Sequence, residues 1–134
     1  MPSREDIRWF KEQFQDEIAQ AIVGTPLTVD HITALACQET GSVWPLLRKA
    51  GLSVPQITAL CVGDTLDDTG KRKAFPRNKA ELLAWANGKA MFDIAHQALV
   101  DMAEFVPGYK KVAKSSDKFC RGYGVFQLDL QFRQ

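Results

Sequence analysis

Two short stretches hold the side chains best suited to chemistry. In "ALACQETGS", Glu39 falls in the last turn of a helix-patterned, mostly apolar run that Gly41 closes. A carboxyl there sits at the negative end of the helix macrodipole and beside poorly hydrated side chains. Both effects disfavour its ionised form. A general acid that works near neutral pH needs that bias. The plainer alternative is an exposed Glu that happens to end a helix. The second stretch is "RGYGVFQLDLQF", 121–132. Gly122 and Gly124 allow close backbone approach to a ligand, or positive φ. If "VFQLD" is extended, Val125, Gln127 and Asp129 share one side while Phe126 and Leu128 share the other. An amide and a carboxylate on one polar face suit a hydroxylated substrate. The alternative is an edge strand whose polar face sees water.

The elements that must position these residues are mostly helical. Ser3 and Asp6 mark a helix start, followed by Ile7, Phe10, Phe14, Ile18 and Ile22 at helical spacing. Gly24 and Pro26 end that run. Thr28 opens a second helix with Asp30 in its first turn, running to Gly41. "WPLLRKAG" reads as a short helix closed by Gly51. "LTVDHITALAC" (27–37) and "LSVPQITALCV" (52–62) echo one another as two helices with similar starts, Ser53 capping and Pro55 in the first turn. Residues 63–79 form a polar break. Asn78 and Glu81 then open a long helix, bent at Gly88 and ended by Pro107–Gly108. "YKKVAKSSDKFC" reads as a loop leading to the glycines.

Composition narrows the class. With 134 residues, 46% of them hydrophobic, the chain can bury a real core as one domain over 1–134. A net charge of +1 creates no global field calling for nucleic acid or an anionic membrane. No apolar stretch approaches a membrane span, and "MPSREDIRWF" has no signal-like apolar region. The expectation is synthesis in a reducing compartment, with any export by a route invisible here. Cys37, Cys61 and Cys120 are an odd count without C-x-x-C spacing, and two distant histidines add no metal signature. No metal or organic cofactor is expected.

Taken together, "QETGS" and "GYGVFQLD" resemble the motifs of goose-type lysozymes and lytic transglycosylases, which belong to the lysozyme-like superfamily. The resemblance implies a mainly α fold: a lysozyme-like helical domain with a small β-hairpin or extended glycine-rich segment lining a cleft. It implies peptidoglycan glycan strands as partner and cleavage of the β-1,4 bond between N-acetylmuramic acid and N-acetylglucosamine. Glu39 maps to the catalytic acid. Asp117 and Asp129 match the aspartates that position the attacking water. Gly122, Tyr123, Gly124 and Gln127 would line the sugar cleft. Such a water gives a hydrolysed, inverted product, whereas internal attack gives an anhydro sugar. This chain departs from the family in two respects. A long insertion separates Glu39 from Asp117, and the helices that normally follow the motif are missing. Either the earlier helices complete the core, or the chain is a fragment truncated at its C-terminal end. Chitin remains an alternative substrate, and the oligomeric state is open.

Other residues receive plainer readings. His31 is expected at a surface or cap, His96 half-buried in a helix, and Trp44 and Trp85 in the core. The cysteines are expected to be small core residues, without a histidine to activate them. A competing class is a small helical nucleic-acid-binding or protein-interaction module, suggested by "KRKAFPRNK" and "KKVAKSSDKFCR". A non-catalytic glycan binder is a third.

Overall fold

Helix α1 (Arg4–Ala21) begins where the sequence supplies its cap. Ser3 Oγ accepts from the Asp6 N–H at 3.1 Å, and Asp6 Oδ2 accepts from the Ser3 N–H at 2.8 Å. Asp6 is buried and also accepts from Arg48 Nη1 at 2.9 Å, so one carboxylate caps α1 and fastens it to a distant helix. Burial alone would raise this carboxyl. The Ser3 and Arg48 hydrogen bonds outweigh that effect and hold it below the usual range. The computed structural model that these details come from describes residues 1–133.

Helices α2 (Val29–Thr40) and α4 (Val54–Leu60) start with the same chemistry: Thr28 pairs with His31, and Ser53 with Gln56. Shared start chemistry is enough to account for the sequence echo. His31 is a capping residue, with Nδ1 accepting from the Thr28 N–H. Between them, α3 (Trp44–Lys49) begins on a fully buried Trp44, whose indole N–H donates to Ala36 O at 3.2 Å. Phe10 packs 5.2 Å from that indole, and Leu47, Ile57, Leu99 and Met102 complete the main core. Each such side chain contributes about 1.5–3 kcal/mol through burial.

The expected bent helix is two helices, α5 (Lys79–Leu83) and α6 (Gly88–Ala103). Asn87 adopts φ 59 between them, and a Cβ on Gly88 would strike Leu82 O. A left-handed residue ends helical propagation, so the chain breaks instead of bending. Helix α6 then serves two cores. Leu99 and Met102 join the main one, while Phe92 and Ala95 join Leu82, Phe119 and Leu130 in a second. His96 is half-buried there, its Nδ1 donating to Lys118 O at 2.6 Å. The segment after Pro107, expected as loop, forms a 3-10 turn and the short helix α7 (Lys110–Ala113).

The sheet also departs from the sequence reading. The helix from Ser53 ends at Leu60, and the next residues form strand β1 (Val62–Gly63). It pairs antiparallel with β2 (Gly122–Tyr123), which pairs antiparallel with β3 (Leu128–Asp129). "VFQLD" is therefore not one extended strand. Gly124–Gln127 is a turn closed by Gln127 N–H to Gly124 O at 3.1 Å, with Gly124 at φ 80 and Gln127 at φ 56. The architecture is mainly helical with one small three-stranded antiparallel sheet. Among the described residues no helix is long and apolar enough to cross a membrane.

Candidate active site

The sheet register determines which residues share a face. Gly63 pairs with Gly122, and Gly122 with Asp129, so these three lie side by side across the strands. Tyr123 and Leu128, the next pair, point to the opposite face. The adjacent glycines leave a floor without side chains, and the Gln127 amide lies on it. A Cβ on Gly63 would come within 2.9 Å of the Gln127 amide oxygen, and one on Gly122 would overlap it. Gln127 Nε2 donates to Gly124 O at 2.8 Å and Cys61 O at 3.4 Å, which fixes the amide in place.

The end of α2 meets this floor. Thr40 Oγ1 donates to Val125 O at 2.7 Å, bonding the helix terminus to the hairpin turn. The neighbouring Glu39 is thereby carried to a cavity of about 290 Å³ that it shares with Asp64, Gly122, Gln127 and Asp129. Four of the residues singled out by sequence thus meet in one place: Glu39, Gly122, Gln127 and Asp129. Glu39 is exposed at this cavity, so the expected dry surroundings are not supplied by the chain itself.

Three expected site residues lie elsewhere. Asp117 is exposed, faces Lys79 Nζ at 4.0 Å and lines a different cavity with Asp67 and Asn78. Between the floor strand β1 and Asp117 the chain runs through α5, α6 and α7, and it places that carboxylate away from the floor. Tyr123 is turned away by strand alternation: its hydroxyl donates to Cys120 O at 2.8 Å, and its ring lines a cavity with Met91, Ile94 and Leu130. Gly124 supplies the positive φ of the turn and does not line the cleft.

Asp64 and Tyr109 line the cavity that Asp117 and Tyr123 were expected to line, and sequence reasoning missed both. Asp64 has φ 57 and receives two hydrogen bonds from Arg72, at 2.7 and 2.8 Å. Burial would raise its carboxyl, but the Arg72 hydrogen bonds and charge, helped by Arg121, hold it below the usual range. It therefore stays ionised. Among the described residues three non-glycine residues are left-handed; two of them, Asp64 and Gln127, line this cavity, and backbone strain of that kind gathers at functional sites. The available signal for Asp64 was its position after Gly63 at the start of the polar break, since Asp tolerates positive φ in turns. Tyr109 is half-buried beside Gly63, and burial first, then nearby Cys120 and Asp64, raises its hydroxyl, which remains a neutral donor.

Elsewhere the chemistry is thinner. Burial pushes the Cys61 thiol up to about 11 and the Cys120 thiol up to about 12, so neither is a nucleophile at neutral pH. Among the described residues no cluster of His, Cys, Asp and Glu could hold a metal. An apolar groove of about 340 Å³ between α1, α2 and the hairpin turn has Glu17 as its one titratable lining residue, which gives no acid–base pair. No protein-family model, characterised protein or solved structure matches the chain, so the functional reading stands on these residues and their geometry.

Proposed function

We propose that the chain is a lysozyme-like glycosidase that cleaves the β-1,4 bond between N-acetylmuramic acid and N-acetylglucosamine, with Glu39 as general acid. The observation that carries this reading is one polar cavity lined together by a helix-end glutamate, two aspartates and the glycine floor. Glycoside hydrolysis needs two carboxyl groups with opposite duties, one to protonate the leaving oxygen and one to act on the other ring face. Asp64, held ionised by Arg72, suits the second duty and replaces Asp117 in it. Asp129, across the floor, is the alternative holder of the water. A sugar ring filling the cavity would exclude water from Glu39 and so supply the dry surroundings that the free protein lacks. Ionised Asp64 then accepts a proton from the attacking water, which favours hydrolysis with inversion over the anhydro product.

The competing reading of a nucleic-acid module gains little. Arg72 faces Asp64, Arg77 faces Glu81 and Lys118 faces Asp67, so much of the basic charge in those segments is already engaged. Purified protein is expected to release soluble fragments from peptidoglycan. Glu39→Gln should lower that release about 10²–10⁴-fold, the usual worth of a general acid, with unchanged circular dichroism. Undiminished release by the variant would refute the assignment, and mass analysis of the new sugar ends separates hydrolysis from anhydro formation.

A further inference from the structure

At Gly63 the lack of a side chain brings a donor and an acceptor together over the cleft floor. A Cβ built there would stand 2.9 Å from Gln127 Oε1 and 3.6 Å from the Tyr109 hydroxyl. Both residues line the cavity that also holds Glu39 and Asp64. The Gln127 amide has one orientation. Its Nε2 donates to Gly124 O at 2.8 Å and to Cys61 O at 3.4 Å, which leaves the acceptor Oε1 for the cleft. Among the described residues neither Oε1 nor the Tyr109 hydroxyl has a hydrogen-bond partner in the protein. Both atoms keep accessible surface, because the one sealed side-chain polar atom without a partner among the described residues is Arg121 Nη1. A ligand atom over Gly63 can therefore reach them.

Asp64 is the carboxylate beside this point. It follows Gly63 in the chain, whereas Asp129 stands two strands away, about 9–10 Å at the usual strand spacing. After burial and Cys120, the Asp64 charge is the next cause of the raised Tyr109 hydroxyl, so the two groups feel one another. The Arg72 bonds take one lone pair on each Asp64 oxygen, and a carboxylate oxygen can accept a second bond. A water over Gly63 would have every bonding position assigned. One proton goes to Asp64 and the other to Gln127 Oε1. One lone pair accepts from the Tyr109 O–H, and the last is left for carbon. A sugar hydroxyl, with a single proton, cannot satisfy both acceptors. The site suits water.

We propose that the floor above Gly63 seats the attacking water of glycoside hydrolysis, with Tyr109 and Gln127 Oε1 orienting it and Asp64 taking its proton. This rests on the glycosidase reading and sharpens it, because a held water separates hydrolysis from internal attack. The water oxygen bonds to the anomeric carbon as the bond to the leaving oxygen breaks. The leaving oxygen keeps that electron pair and takes the Glu39 proton. Asp64 takes one water proton, and the second stays on the new sugar hydroxyl. Tyr109 keeps its own proton throughout.

The test is steady-state cleavage of soluble peptidoglycan fragments by the full chain and by Tyr109→Phe, with mass analysis of the new sugar ends. Phenylalanine keeps the ring and removes a hydroxyl that bonds nothing in the protein, so circular dichroism and melting temperature should be unchanged. The expected result is a kcat for hydrolysis lower by about three- to tenfold, the scale of one neutral hydrogen bond, at constant KM. Where hydrolysed and anhydro ends both form, the ratio of hydrolysed to anhydro should fall by the same factor. A ratio that stays fixed overturns the proposal, as do wild-type kinetics in the variant. A raised KM at constant kcat also overturns it, because the hydroxyl then grips the sugar. If every end made by the unaltered chain is anhydro, the water site falls and the glycosidase reading stands. If the unaltered chain cleaves no glycan, the glycosidase reading falls and the water site falls with it.

Discussion

The α1–α3 wall and the sheet region beneath the cleft are built by different means. The wall is held by ring and aliphatic packing around Trp44, with Trp9, Phe10 and Phe14 at ring distances between 4.8 and 6.2 Å. The sheet region has strands two residues long, and a buried arginine organises it. The Arg121 N–H donates to Gly63 O and Asp64 O, its carbonyl accepts from the Leu130 N–H, and its side chain holds Pro76, Arg77 and Asp67. Apolar packing is non-directional and tolerates small changes, whereas a polar network is fully satisfied or costly. The carboxylates Asp64 and Asp129 belong to the second region and Glu39 to the edge of the first. The cleft thus lies where a forgiving scaffold meets an exacting one.

Four measurements would break or sharpen that contrast. The largest effect is expected from Arg121→Met. Removing one partner of a buried network should cost about 3–5 kcal/mol in urea unfolding, against little more than the lost volume for a conservative Leu47→Met change in the wall. Equal small losses at the two sites would show that the arginine does not organise the sheet.

Asp64→Asn comes next, with an expected fall of roughly a hundredfold in glycan cleavage, the lower end of acid–base contributions. The pH dependence gives its sign. Because Arg72 helps to hold Asp64 below the ordinary value of about 3.9, the ionised form persists above that depressed value and is lost only as pH falls through it. The stability linked to this charge follows the same course: present above the unfolded value, lost below the folded one. Arg72→Gln should therefore move the acidic limb of the pH–rate profile upward. A limb that stays fixed would separate Asp64 from the reaction.

The glycine comparison is smaller. Gly122→Ala drives a Cβ into the Gln127 amide and should cost about 1–3 kcal/mol as an overpacked site. Gly108→Ala meets open space and should be neutral or slightly stabilising. Thr40→Val should cost about 1 kcal/mol of stability through the lost hydrogen bond to Val125 O. Its effect on cleavage should exceed that, because the bond to Val125 O sets where Glu39 stands relative to the floor. A variant with normal cleavage would show that the helix end is positioned by packing alone.

Much of the helical half was legible because its signals are local. The capping residues Ser3, Thr28, Ser53 and Asn78 lie next to the turns they start, and the stripe of Phe10 and Ile18 repeats at helical spacing. Those features act within one or two turns and can be read off the chain. The break at Asn87 was missed because helix pattern continues on both sides, although the Asn87–Gly88 pair is itself a turn signal. Of the site, Glu39, Gly122, Gln127 and Asp129 were legible from two motifs. Asp64 was not, because its place depends on β1, a two-residue strand with no periodicity of its own.

The amino-acid sequence by itself determined where the capped helices α1, α2, α4 and α5 start, and that a helix-end glutamate and a glycine-rich segment were worth bringing together. Only the tertiary structure decided which carboxylates share a cavity. Pairing of β1 with β2 brought Asp64 to the floor, alternation turned Tyr123 away, and the path through α5 and α6 left Asp117 beside Lys79. The physical reason is range: caps and periodicity act over neighbouring residues, whereas strand register and a buried arginine's partners are set by segments dozens of positions apart.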